Sequence, residues 1–240
     1  LEKKILEFSS NITIHYCNIE HSDELDNFFD DNNIDFIFHF AGLKSVPESH
    51  KFPEKYFETN VTGTEKLLNA FSKKNKNLKR FVFSSSASVY GKPRYLPLDE
   101  NHSLQPLSPY GESKVLAEEI LKKTFKHKDS WSILCLRYFN PVGDKLNHFY
   151  KEKKPAYVKN LFENISDIIE GKEEKLKIYG QDYKTPDKTC IRDFIHIDDL
   201  ISGHISAMTY MLKQDSPLWD VFNLGTGSGY SVLETIRTFE

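Results

Sequence analysis

The chain is 240 residues long, 39% hydrophobic and 28% charged, which suits a globular domain or a domain and a half. A net charge of -3, with lysines and arginines scattered among acids, offers no basic stripe for a phosphate backbone, so no nucleic-acid partner is expected. No apolar run reaches the ~18–20 residues of a bilayer span, the opening LEKKILEFSS holds no signal-peptide core, and Cys17, Cys135 and Cys190 form no Cys-x-x-Cys pair; a cytoplasmic protein with no membrane partner is expected.

The first predicted strand is 35–42 (DFIFHFAG), apolar on both faces and rich in aromatic and β-branched side chains. A helix follows over 53–74, with Tyr56, Asn60, Gly63, Leu67, Ala70 and Phe71 near one stripe and Glu58, Glu65, Lys66 and Lys73 outside it. Next come a strand over 80–85 (RFVFSS), a helix over 109–125 with Ser108 as its cap and Pro109 in its first turn, and a strand over 131–139 (WSILCLRYF). The Lys/Asp-rich stretch 144–154 reads as a surface loop where a smaller lobe begins. A last strand is predicted over 220–225 (DVFNLG), and Ser231-x-x-Glu234 reads as a capping box. Alternating strands and helices imply an α/β fold with a doubly wound parallel sheet. Residues 1–143 are expected to form one unit, and 144–240 to mix the smaller lobe with a strand and helix that return to it.

Two segments carry chemistry. FSSSASVYG (83–91) is a strand running into a hydroxyl-rich end, and open α/β sheets bind ligands at the carboxyl ends of their strands. In YGESK (110–114), Tyr110 and Lys114 stand four apart and share a helical face. A phenol titrates near pH ~10 and is a poor base at neutrality. A neighbouring ammonium favours the phenolate, as would the positive nicotinamide ring of an oxidised cofactor, and the pair then makes a general base. Either segment alone is common in loops and helices; strand serine followed by helix Tyr-x-x-x-Lys is far more specific. The nine histidines show no metal-ligand spacing, and His196, beside Asp193, Asp198 and Asp199, reads as a capping or packing residue, so no metal is expected.

The two segments resemble the serine and Tyr-x-x-x-Lys motifs of the extended short-chain dehydrogenases/reductases, and the surrounding text is similar to the UDP-glucose (UDP-galactose) 4-epimerases within them. HFAGLKSVPES (39–49), YFETNVTGT (56–64), YLPLDE (95–100), LRYFNPVG (136–143), IRDFIHIDDL (191–200) and NLGTGSGYSV (223–232) carry the likeness over nearly the whole chain. The resemblance implies a Rossmann-like NAD-binding unit with a smaller substrate-binding lobe, NAD as cofactor, a UDP-sugar substrate, a place in galactose metabolism and a homodimer joined through the Pro53 and Pro109 helices. It implies that Tyr110 is the base, that Lys114 holds the nicotinamide ribose and tunes it, and that Ser86 assists at the reacting sugar hydroxyl. Asn18 and Ile19 fall at the adenine, Phe40, Ala41, Gly42, Leu43 and Lys44 along the cofactor, and Asn60 and Phe139 at further cofactor contacts. Ser86 and Tyr110 face the sugar, while Asn140, Asn160, a strand of Lys177, Ile178 and Tyr179, and Arg192 match positions that hold the UDP part. Arginine suits a diphosphate by bidentate hydrogen bonding.

The reaction so implied is oxidation of the fourth sugar carbon to a bound ketone, rotation of the sugar, and re-reduction on the opposite face. The nucleotide-sugar 4,6-dehydratases need an acid beside the serine to expel a hydroxyl, and Ala87 and Ser88 stand there instead. Epimerases of UDP-glucuronate or UDP-pentoses remain open alternatives, as does, from another class, a truncated nucleotide-sugar-binding relative without catalysis. A dinucleotide-binding half opens with a strand, a glycine-rich turn and a helix, yet no glycine precedes Gly42, and Gly225-x-Gly227-x-Gly229 lacks the fingerprint spacing and reads as a turn. The sequence is therefore expected to lack an amino-terminal glycine-rich segment and a carboxyl-terminal end, and to be inactive in isolation. Smaller departures from the family pattern are Lys159, Cys190 and the lysine-rich 151–154.

Overall fold

The computed structural model describes residues 9, 11–73, 79–127, 130–143 and 160–239. From the amino-terminal side the chain runs through α1 (Ser22–Asp31), β1 (Phe36–His39), α2 (Val46–Lys51), α3 (Pro53–Phe57), a π-helical turn (Glu58–Thr62) and α4 (Gly63–Lys73). It continues through β2 (Lys79–Ser86), a 3-10 turn (Ala87–Val89), α5 (Pro109–His127), β3 (Trp131–Tyr138) and β4 (Asn140–Val142). The remainder comprises α6 (Leu161–Ile169), β5 (Ile191–His196), α7 (Ile197–Leu212), β6 (Trp219–Leu224), β7 (Gly229–Ser231) and α8 (Val232–Arg237).

Strands β1, β2, β3 and β6 lie side by side in that order, all parallel. Their side chains alternate between two cores, as a period of two requires. On one face Phe81, Phe83, Ile133 and Cys135 pack with Leu25 and Phe29 of α1, Leu67 and Phe71 of α4, and Ala117 and Leu121 of α5. On the other, Val82, Leu134 and Leu136 pack with Ala207 and Met211 of α7. The sheet is therefore wound on both faces, as the alternation of strands and helices implies. Phe81 and Trp131 are fully buried, and removing such a ring costs ~3–5 kcal/mol. A second sheet of β4, β5 and β7 stands apart, with β5 parallel to β4 and antiparallel to β7.

Three features differ from the pattern read in the sequence. The first strand ends at His39, not at residue 42, because the chain swings away so that Leu43 can bond the Asn60 side chain through both its N–H and its carbonyl. The helix predicted over 53–74 keeps its path but widens to π geometry at Glu58–Thr62, within which Asn60 is 1% exposed. Lys177, Ile178 and Tyr179 form no strand; no ladder partner faces them among the described residues, and Tyr179 is 78% exposed. The loop expected over 144–154, with Lys159, lies outside the described residues. The capping box at Ser231 and Glu234 is formed in both directions, and Ser108 caps α5 by accepting from Gly111 N at 3.1 Å.

Candidate active site

Strand β2 delivers three serines to the carboxyl edge of the parallel sheet, and α5 begins directly against them. Gly111 permits that approach: a Cβ there would lie 2.7 Å from the Ser88 carbonyl oxygen and 3.0 Å from Pro106 Cβ. Tyr110 and Lys114 thereby face the strand end, 9% and 5% exposed. Burial pushes the Tyr110 phenol up, and its hydrogen bond with Ser86 draws it back. Ser86 in turn accepts from Ser88 N at 3.2 Å and donates to Ser88 Oγ at 3.2 Å, so its hydroxyl is held at the mouth of the 3-10 turn.

Lys114 Nζ donates to the Ser84 carbonyl oxygen at 2.9 Å and lies 4.8 Å from the centre of the Phe83 ring. Burial pulls its ammonium down to about 8, opposed by the charge of Glu118 one turn along α5 and by Cys135. Tyr138, at the end of β3, is also pushed up by burial; its hydroxyl donates to His204 Nε2 at 2.5 Å, because His204 Nδ1 is committed to the Leu200 carbonyl at 2.7 Å.

Asn60 ties this centre to the loop after β1. Its Oδ1 accepts from Leu43 N at 2.7 Å, and its Nδ2 donates to the Leu43 carbonyl at 3.0 Å and to Ser113 Oγ at 2.9 Å. Ser113 passes the contact on to the Tyr110 carbonyl at 2.7 Å. Gly42 lies beside it with φ +155, and a Cβ there would come 2.9 Å from Asn60 Oδ1 and 3.6 Å from Lys114 Nζ. Only a residue without a side chain leaves that space open over the lysine.

The structure thus brings Ser86, Tyr110, Lys114, Asn60 and Gly42 together, with Leu43 alongside. Phe40, Ala41 and Lys44 form the exposed rim of the same loop, the Phe40 ring resting 5.1 Å from His204. Ile19 packs on the start of α4, where a Cβ at Gly63 would meet it at 2.9 Å, and Asn18 beside it is exposed, accepting from Glu20 N at 3.0 Å. A second group gathers where β3 leaves the sheet. Phe139 N bonds the Leu224 carbonyl at 3.0 Å, Asn140 Nδ2 donates to the Asp193 carbonyl at 3.0 Å, and Arg192 is exposed on β5 with its guanidinium on the Ile191 carbonyl at 3.0 Å. Asn160 is the N-cap of α6, its Oδ1 accepting from Glu163 N at 2.9 Å. Lys177 and Tyr179 are exposed.

The turn after β6 spends its backbone donors internally. Thr226 N and Gly227 N donate to the Asp193 carboxylate at 2.9 and 2.8 Å, which fits the reading of the late glycines as a turn. His196 caps α7 by accepting from Asp198 N at 3.2 Å, and no group of three or more metal-ligating side chains occurs among the described residues. No helix among them is long and apolar enough to cross a membrane. Four participants escaped the sequence reading. Ser84 acts through its main chain, which carries no sequence signal; Ser113 lies inside YGESK; Glu118 continues the four-residue spacing from Lys114; and His39, 3% exposed, bonds Thr64 Oγ at 2.9 Å beneath Asn60.

Known proteins are similar to this chain in sequence and fold. The chain is 40% identical over 232 residues to the bifunctional UDP-glucose 4-epimerase and UDP-xylose 4-epimerase 1 of Pisum sativum, covering 97% of this chain and 66% of that one. It is 40% identical over 230 residues to the UDP-glucose 4-epimerase of Bacillus subtilis, covering 96% and 67%. The crystal structure of UDP-glucose 4-epimerase from Bifidobacterium longum in complex with NAD+ and UDP superposes with a TM-score of 0.88 at 37% identity, over 99% of this chain and 70% of that one. The chain spans about two thirds of the length of the curated relatives it matches. Residues 2–225, which hold the parallel sheet, the strand-end serines and the Tyr110 helix, match one family throughout, and the chain belongs to the NAD dependent epimerase/dehydratase family.

Proposed function

We propose that this chain carries the catalytic centre of a UDP-glucose 4-epimerase, which interconverts UDP-galactose and UDP-glucose through a bound 4-keto sugar. The observation that carries the reading is the convergence of Tyr110, Ser86 and a buried Lys114 on the carboxyl end of β2. The bare Gly42 beside Lys114 and Asn60 fits an extended dinucleotide lying over the loop 40–44, with Asn18 and Ile19 toward its adenine end and Phe139 toward its nicotinamide end. Bound NAD would supply a reversible hydride acceptor for the fourth sugar carbon. Tyr110 takes the proton of the hydroxyl on that carbon, Ser86 orients the same hydroxyl, and Lys114 lends the positive charge that favours the phenolate. Once the ketone has formed and turned about its diphosphate link, Tyr110 returns the proton to its oxygen as the hydride would go back to the opposite face of the carbon, and the net redox change is zero.

Asn140, Asn160, Lys177, Ile178, Tyr179 and Arg192 are proposed for the UDP moiety. The grouping of Asn140 and Arg192 around Asp193 supports two of them; Asn160 would act through its amide nitrogen, since its oxygen caps α6. We assign residues 1–143 to the nucleotide-binding unit and 144–240 to the substrate lobe with the returning β6 and α7, in a cytoplasmic homodimer joined through the Pro53 and Pro109 helices and serving galactose metabolism. The name of the pea relative favours UDP-pentoses as a second substrate class. The test supplies NAD and UDP-galactose, without reductant, to the chain alone and joined to the segments by which its relatives exceed it. UDP-glucose should form with no net NADH; a stable 6-deoxy product, or no turnover in either form, would overturn the reading.

A further inference from the structure

Helix α5 carries a third polar residue on the stripe of Tyr110 and Lys114. Glu118 follows Lys114 by four residues, so its carboxylate sits one turn farther along the same face. It is 5% exposed and accepts three hydrogen bonds from two residues. Arg137 of β3 grips it bidentately, Nε to Oε1 at 3.0 Å and Nη2 to Oε2 at 2.7 Å, and Ser85 Oγ donates to Oε1 at 2.5 Å. Ser85 lies between Ser84, whose carbonyl holds Lys114, and Ser86, which holds Tyr110. Arg137 is anchored in turn: its Nη1 donates to Tyr90 Oη at 2.9 Å and to the Glu100 carbonyl at 3.3 Å, and Tyr90 passes its own proton to Asn223 Oδ1 at 2.6 Å.

A buried ion pair is poor evidence of stability, since an apolar pair of like volume is often as good. What this pair has is direction. Its negative end stands on the helix of Lys114, and its positive end stands on β3 among Tyr90, Asn223 and Glu100. Glu118 is felt at both Lys114 and Cys135, whereas Arg137 is felt at Cys135, two residues along β3 from it. The other titratable groups facing Lys114 do not compete for this role. His39 of β1 is buried, Cys135 of β3 is a thiol held neutral by burial, and Tyr110 is the group to be tuned. The pair also lines a pocket of about 490 Å³ together with Glu100, Glu119, Lys122 and Asp220.

We propose that Glu118 and Arg137 form a charge-orienting pair for the Tyr110–Lys114 base, in which Arg137 and Ser85 fix the Glu118 carboxylate so that its charge keeps the Lys114 ammonium protonated in a buried site. Both are positioning residues, acting through Lys114, and the inference rests on the reading of Tyr110 and Lys114 as the base. It separates this centre from a bare Tyr-x-x-x-Lys helix, because burial without Glu118 would strip the ammonium of the proton that makes it useful.

The test needs neither substrate nor turnover. The protein is labelled with 13C at lysine Cε, and Lys114, assigned by loss of its signal in Lys114→Met, is titrated by NMR. Glu118→Gln and the double variant Glu118→Gln/Arg137→Gln, which replaces the ion pair by two amides, should each lower the Lys114 midpoint by about one pH unit or more. Glu119→Gln, an adjacent charge facing the cavity, should move it far less. The double variant guards against a fold lost to an unpaired arginine, and Glu118→Asp, which keeps the charge one methylene farther back, should shift the midpoint in the same direction by a smaller amount. An unchanged midpoint in any folded variant at position 118 that lacks the carboxylate, or an equal shift in Glu119→Gln, would overturn the proposal. Loss of turnover in Tyr110→Phe is a separate measurement, so a failed epimerase reading is distinguishable from a failed charge-orienting pair.

Discussion

Lys114 Nζ lies 2.9 Å from the carbonyl oxygen of Ser84, and this bond joins the middle of the α5 stripe to the last turn-free residues of β2. An ammonium fixed to main chain cannot follow the rotamers of its neighbours, so its charge is presented at one place relative to Ser86 and Tyr110. Electrostatic help of this kind is worth most when no reorganisation is needed at the moment of reaction.

Tyr110→Phe keeps the ring that packs beside Tyr56 and removes only the hydroxyl. Loss of a positioned acid or base typically costs ~10²–10⁴ in rate. Turnover of UDP-galactose should therefore fall by about that factor while UDP binding, measured by calorimetry, stays nearly unchanged. Ser86→Ala should lose less, because Ser86 orients and does not accept the proton. A Tyr110→Phe variant with a tenth of the parent rate would sink the assignment.

Asn60 is the second test point. It makes three side-chain hydrogen bonds, two of them to Leu43, and an unsatisfied buried polar group costs ~1–3 kcal/mol. Asn60→Leu should destabilise the fold by roughly 3 kcal/mol or more and weaken NAD binding, since the loop 40–44 would lose its anchor. Gly42→Ala should weaken NAD binding too, through contact with Asn60 Oδ1 at 2.9 Å. Urea unfolding and NAD calorimetry together check this; a variant with parent stability and parent affinity would show that the loop is held elsewhere.

Much of this was legible in the residues because it rests on local pattern. The apolar run of Phe81, Val82 and Phe83, the Tyr110 and Lys114 spacing, and the caps at Ser108 and Ser231 are all short-range statements about side chains. The π turn at Asn60 was not legible, because a helix that widens by one residue leaves the apolar stripe almost in register. Nor was the Ser84 contact, made by a carbonyl that every residue owns. The expected strand at Lys177–Tyr179 failed for another reason: it came from the family resemblance alone, and a ladder needs a partner that local sequence cannot supply.

Acid should find a weak point at His39. Its Nε2 donates to Thr64 Oγ at 2.9 Å, since the Thr64 hydroxyl proton goes to the Asn60 carbonyl at 2.7 Å, and burial, aided by the charge of Lys114, brings the imidazole down to about 3. The unfolded chain binds a proton here from about pH 6.5 downward. Stability from this group is therefore full above pH 6.5 and is lost as pH falls from 6.5 toward 3, by up to about 5 kcal/mol. His39→Gln, which can keep the donor to Thr64, should flatten that acid limb. Unfolding free energies at pH 7, 6, 5 and 4 decide it, and parallel curves for parent and variant would place the acid sensitivity at other groups.

The alkaline side is governed by Lys114, with a slope of the same sign in a higher window. Its ammonium comes down to about 8 in the fold, first through burial, whereas the unfolded lysine holds its proton to about 10.5. Between those two values the unfolded chain binds more protons than the native one, so stability from this group rises with pH across the window and is lowest below pH 8. The full span corresponds to about 3 kcal/mol, an upper limit because water and small shifts of the chain soften burial. Lys114→Met removes the buried charge but also leaves the Ser84 carbonyl without its donor, which costs ~1–3 kcal/mol. The two effects nearly cancel in absolute stability at neutral pH, so the slope is the measurement that discriminates. Urea unfolding at pH 7, 8, 9 and 10 should show the parent gaining on the variant as pH rises. Identical slopes would mean that Lys114 keeps an ordinary lysine affinity for its proton, and the account of the buried base would fall with it.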